Sequence, residues 1–236
     1  MTWSIIACDP ASGELAIAVA TKFFAVGSRV PFIAAGVGAI ATQALINPFY
    51  GVNGLKLLAE GCSPEDAVAR LTIDDTGRDH RQLHMMDAAG RIAAYTGSAC
   101  IDWCGHLGGD RFSIAGNMLA GPQVVEATAI AYAKSDALPL PRRLIAAMRA
   151  GEAAGGDKRG KQSAALVVHG KEQWSDLDLR VDDHPDPLAE LERLEQVSRE
   201  RWVHFRQFLP NHANPAGTTD RAIIDAGIER GLAKER

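Results

Sequence analysis

A chain of 236 residues with 47% hydrophobic and 23% charged side chains has an ordinary globular make-up, and it is long enough to bury a core without disulfide or metal staples. A formal charge of −4 leaves no basic excess to hold nucleic acid or an anionic membrane, so neither is an expected partner. No apolar run approaches the roughly 20 residues of a bilayer span; Asp9-Pro10 interrupts the N-terminal segment too early for a secretory signal, and Cys8, Cys62, Cys100 and Cys104 make no disulfide framework, which together predict a reduced, cytoplasmic protein.

Along the chain, Thr2 to Ala7 is rich in strand formers, and the turn cluster Asp9 to Gly13 leads into a second apolar strand, Leu15 to Ala20. The two predict a hairpin that begins at the second residue, although chain ends fray unless something ties them down. Thr21 to Arg29 reads as a loop, and Gly36 separates two short strands, Val30 to Ala35 and Val37 to Thr42. Helical spacing follows over Tyr50 to Glu60, closed by Gly61, and Ser63-Pro64-Glu65-Asp66 carries the cap, proline and acidic first turn of another helix. Asp87 to Gly90 marks a hairpin between Arg81 to Met86 and Arg91 to Tyr95, and Phe112 to Leu119 is a further strand. Two helices, from Pro122 and from Arg142, precede strands over Ala164 to Val168 and Leu177 to Val181. This order suits two antiparallel sheets covered by helices, an α+β arrangement, and not alternating βαβ units. From Leu188 to Phe205 apolar residues recur at helical spacing among charges, predicting one long amphipathic helix. A main domain over residues 1–185 and a helical extension over 186–236 follow, the extension packing on its own domain or at an interface of a homo-oligomer.

Several blocks carry a resemblance to a known family. Thr2 to Ala7, Val19 to Gly27, Gly36 to Gln43, Gly116 to Leu119 and Ala154 to Ala165 are similar to motifs of the DUF1028 family, over most of residues 2–182. The resemblance implies a four-layer αββα sandwich of the N-terminal-nucleophile (Ntn) hydrolase type, and it implies no established substrate.

In such a hydrolase the first side chain attacks and its own α-amine is the base, and an amine with pKa near 8 suits that task. Thr2 is the candidate nucleophile once Met1 is removed; the alternative is an ordinary strand threonine. Lys22 follows the second strand at a position that resembles lysines set near an Ntn nucleophile, where a cation lowers the amine's pKa and steadies an oxyanion. Asn117 is a third catalytic candidate and Gln43 a substrate contact, whereas Asn47 fits the cap of a turn better. In Gly155 to Ser163, glycines permit close backbone approach, and Asp157, Arg159 and Gln162 offer charge and hydrogen bonds to an amino-acid-like ligand. Cys100, Cys104 and His106 lack the partners of a metal site, and no metal or organic cofactor is expected. The expected activity is hydrolysis of a small amide, with non-catalytic small-molecule binding on the same scaffold, or an assembly role for the C-terminal helix, as alternatives.

Overall fold

Strand β1 (Thr2–Cys8) is buried along its whole length, because a protein layer covers each of its faces. This computed structural model describes residues 2–234. β1 pairs antiparallel with β2 (Leu15–Thr21) across a turn in which the Asp9 carboxylate accepts from the Ala11 N–H and the Ser12 hydroxyl. A single 3-10 turn (Val26–Ser28) lies within the predicted loop, and β3 (Pro31–Ala34) and β4 (Gly38–Ala44) then form a hairpin. Gly36 makes that reversal at φ 70°, a conformation that glycine adopts without steric cost. Helix α1 (Pro48–Ala59) starts where the Asn47 side chain accepts from the Phe49 N–H, and α2 (Pro64–Ile73) where the Ser63 hydroxyl accepts from the Asp66 N–H.

Next come β5 (Arg81–Asp87), β6 (Ile92–Thr96), β7 (Trp103–Gly109) and β8 (Phe112–Leu119). Helices α3 (Gln123–Lys134) and α4 (Leu140–Ala153) precede β9 (Ser163–His169) and β10 (Leu177–Val181). One sheet has the order β10-β9-β2-β1-β8-β7 and the other β3-β4-β5-β6, with antiparallel pairing throughout. Helices α3 and α4 cover the first sheet, α1 and α2 cover the second, and the bare faces of the sheets meet. These are the two helix-covered antiparallel sheets expected from the order of elements, stacked in the four layers that the resemblance implies.

Alternation along β1 sorts its side chains between the layers. Trp3 points to α4, where a Cβ on Gly151 would come within 3.0 Å of the indole nitrogen. Thr2, Ser4, Ile6 and Cys8 face the second sheet: Ser4 bonds Gln43 of β4, and Ile6 and Cys8 pack with Ala39, Ala41 and Met86.

Two stretches differ from the sequence expectation. β7 was not anticipated, because Gly105, Gly108 and Gly109 hide its strand character, and their missing side chains leave room for Trp103, Ile92 and Phe112. The long C-terminal helix is instead α5 (Pro187–Ser198) and a single turn, α6 (Trp202–Phe205). The break follows Ser198, whose hydroxyl donates to the Glu195 carbonyl at 2.6 Å, and the N–H groups of residues 199 and 200 donate to the carbonyls of Gln196 and Val197, three residues back. A further helix, α7 (Arg221–Lys234), follows. The chain divides into two compact units, residues 1–191 and 192–236. Among the described residues no helix is long and apolar enough to cross a membrane.

Candidate functional site

At the Thr2 end of β1 the layer between the sheets is polar. Thr2 lies opposite Asn117 of β8, and its hydroxyl donates to that of Thr21 at 3.2 Å. Gln43 and Gln82, fully buried, reach in from the second sheet.

The orientation of every amide here is set by the backbone. Gln82 Nε2 is 3.1 Å from the Gly105 carbonyl and 2.9 Å from that of Gly116, and a carbonyl can only accept. The NH2 group must face them, with Thr96 Oγ1 as a further acceptor at 3.0 Å, so Oε1 turns the other way. That oxygen accepts from Gln43 Nε2 at 2.8 Å and from Asn117 Nδ2 at 3.0 Å. Gln43 Oε1 then faces Ser4, which donates its one hydroxyl hydrogen to it at 2.7 Å. The neutral His84 must therefore donate from Nε2 to Ser4 Oγ at 2.8 Å and accept from the Ser113 hydroxyl at Nδ1, 2.9 Å away. Burial, with His106 nearby, pushes the His84 pKa down to about 3. Ser4 beside His84 is no nucleophile–base pair: both are fully buried, and the hydroxyl hydrogen points away from the imidazole.

Next to this network a cavity of about 340 Å³ opens to solvent, lined by Asn117, Met118, Arg159, Phe23, Leu45 and Ile101 among others. Phe23, Leu45 and Ile101 are largely exposed, an unusual use of large apolar groups and a fit for a ligand's hydrocarbon part. Two wall residues other than glycine, Ala44 (φ 66°) and Met118 (φ 52°), are left-handed, and strain of this kind clusters at functional sites. Cys100 is also on the wall, but burial and the nearby Cys104 raise its thiol pKa, so it presents a neutral thiol.

The predicted site residues separate into three positions. Asn117 and Arg159 line the cavity. Thr2, Gln43 and Asp157 sit behind it: Thr2 is 6% exposed, and the Asp157 carboxylate accepts from the Lys22 backbone N–H at 2.7 Å and the Arg159 backbone N–H at 2.8 Å while pairing the Arg159 guanidinium. Asp157 thus ties the glycine-rich segment to the end of β2. Lys22 and Gln162 turn elsewhere, with Lys22 Nζ on the Lys161 carbonyl at 3.4 Å and the Gln162 amide on Asp183 at 3.0 Å. Met1 lies outside the described residues. Gln82, the hub of the network, was not singled out from the sequence; the signal was polar Gln82 and His84 at alternate positions of a strand whose other interior residues, Leu83, Met85 and Met86, are apolar.

Comparison with known proteins adds three findings. The model of a family of unknown function, DUF1028, matches residues 2–191. The crystal structure of protein SPO2555 from Silicibacter pomeroyi, assigned to that family, is similar at 36% identity with a TM-score of 0.86, covering 93% of this chain and 99% of the other. No curated protein matches.

Proposed function

The chain belongs to the DUF1028 family, and from that premise we propose that it is an N-terminal-nucleophile-type amidohydrolase acting on a small amide, an N-acyl amino acid or dipeptide-like metabolite. The supporting observation is the place of Thr2: it heads a central strand of the sandwich, paired with Asn117, which lines the cavity. Removal of Met1 gives Thr2 a free α-amine beside its hydroxyl, the pair that the chemistry needs.

In the proposed reaction the α-amine takes the hydroxyl proton as Thr2 Oγ1 attacks the amide carbon. The C–N bond breaks, the leaving amine departs with that proton, and an acyl ester remains on Thr2. Water, deprotonated by the same amine, releases the acid and restores the hydroxyl. Lys22 Nζ, which donates to the Lys161 carbonyl across an exposed 3.4 Å bond, would turn from it to steady the oxyanion.

The test joins intact mass with turnover. Protein lacking Met1 is expected to hydrolyse members of an N-acyl amino acid panel, and Thr2→Ala is expected to lose at least about 100-fold in kcat. A homogeneous, active preparation that still carries Met1 would remove Thr2 from the mechanism. Non-catalytic binding is a second reading, favoured by the Thr2 hydroxyl being donated to Thr21 and largely buried. Ligand-induced thermal shifts without turnover in either protein would select it.

A further inference from the structure

We infer that Asn117 reads an N–H of the ligand through Oδ1, so that the cavity selects secondary amides over esters and tertiary amides. The inference rests on the proposal that this cavity is the substrate site, and it names what the site recognises.

The amide of Asn117 has one allowed orientation. Its Nδ2 faces two oxygens: Gln82 Oε1 at 3.0 Å, itself an acceptor because the Gly105 and Gly116 carbonyls hold the Gln82 NH2, and the main-chain carbonyl of Thr2 at 3.4 Å. A flipped Asn117 would set its own oxygen against both. Two hydrogens and two internal acceptors exhaust the NH2 group. Asn117 is only 2% exposed, yet it lines the cavity, and Oδ1 accepts no hydrogen bond among the described residues. What this side chain offers a ligand is therefore an acceptor.

An acceptor in that position selects by omission. An oxygen on the cavity wall that meets an N–H forms a bond in place of those it loses with water, whereas an ester oxygen or an N-methyl group covers it and leaves it unpaired. The rest of the wall fixes the remainder of the ligand. Arg159 brings a cation, with part of its charge answered by Asp157, and Phe23, Leu45 and Ile101 bring hydrocarbon. An N-acyl α-amino acid with an aliphatic side chain meets all three demands: one N–H, one carboxylate and one apolar group.

The experiment measures binding, not turnover, on Thr2→Ala protein by titration calorimetry. The probes are N-acetyl-leucine, its N-methyl derivative, and the acetoxy acid in which oxygen replaces the N–H. Both analogues are expected to bind roughly 10- to 100-fold more weakly than N-acetyl-leucine. An Asn117→Leu variant is expected to lose this preference even where overall affinity falls. If that variant does not fold, the three ligands on the Thr2→Ala protein decide alone. Binding of the acetoxy acid within about threefold of the amide, binding of neither, or a preference that survives in Asn117→Leu overturns the inference. Turnover of the acetoxy acid by Met1-free protein alongside equal binding would sink the N–H selection and leave the hydrolase standing.

Discussion

The layer between the two sheets is equally buried at both ends but built from opposite materials. At one end Ile6, Leu15, Ile17, Val19 and Met86 pack without direction. At the other, Thr2, Ser4, Gln43, Gln82, His84 and Asn117 are joined by hydrogen bonds whose donors and acceptors have one assignment. The same strands supply both ends, since β1 gives Thr2 and Ser4 to one and Ile6 and Cys8 to the other. Hydrophobic contact stabilises whatever fits, but it cannot specify which atom of a side chain faces a cavity. A satisfied polar network can, because every group left unpaired in it is costly. The cavity opens beside the polar end, where a single amide is turned to order.

The largest expected effect breaks that network at its hub. Gln82→Leu keeps the approximate volume but takes the amide donor from the Gly105 and Gly116 carbonyls and one acceptor each from the NH2 groups of Gln43 and Asn117, which keep only their long bonds to the Thr2 carbonyl. At about 1–3 kcal/mol for each buried group that loses its main partner, less what relaxation and the bonds to the Thr2 carbonyl recover, unfolding in urea should reveal a loss of roughly 2–5 kcal/mol. A loss below about 1 kcal/mol would mean that the polar end is no more exacting than the apolar one.

How much of this was legible in the sequence depends on the range of each signal. Helix α1 was, because Val52, Leu55 and Leu58 recur at helical spacing and Gly61 follows, and α2 was, because Ser63-Pro64 is a cap acting within one turn. The hairpins at Asp9 to Gly13 and Asp87 to Gly90 were, for the same local reason. The layered architecture followed from the order of elements. Asn117 and Arg159 were named by type, but their surroundings come from pairs such as Gln82 and Gly116, 34 positions apart, which periodicity in one strand does not encode. The left-handed backbone at Ala44 and Met118 carries no compositional mark, since neither is a residue that favours it. Glycines concealed β7, and helical spacing ran past Ser198, where a hydroxyl rather than a proline ends the helix.

A smaller effect sharpens the comparison through pH. His84 is neutral in the folded state, with a pKa of about 3 against an ordinary 6.5. The unfolded chain takes up a proton below pH 6.5 and the folded one does not, so stability is full above 6.5 and falls as pH drops toward 3. At about 1.4 kcal/mol per unit, roughly 2–3 kcal/mol should be gone by pH 4.5, measured as the change in urea unfolding free energy. His169 is also lowered by burial and adds to the slope, so the contribution of His84 is the difference between the wild type and His84→Gln. Asp75, held down to about 2 chiefly by the Tyr50 hydroxyl, acts in a separate window, losing its contribution as pH falls from 3.8 through 2. Parallel pH profiles for wild type and His84→Gln would show that the buried imidazole is not what the acid limb reports.

The smallest expected effect lies at the apolar end, and it gives the comparison its control. Ile17→Val removes one carbon from a fully buried position among Leu15, Val19 and Met86. The loss is one methylene of transfer energy plus whatever cavity remains, and an unbranched Met86 nearby can shift to fill part of it. Urea unfolding should register about 1 kcal/mol, and the affinity of Thr2→Ala protein for N-acetyl-leucine should not change. No orientation at Asn117 depends on that carbon, because the chain of amides runs from the Gly105 and Gly116 carbonyls through Gln82 without touching Ile17. If Ile17→Val instead weakened the ligand as much as Asn117→Leu does, the two ends would be one mechanical unit, and the division of labour between contact and hydrogen bond would fail.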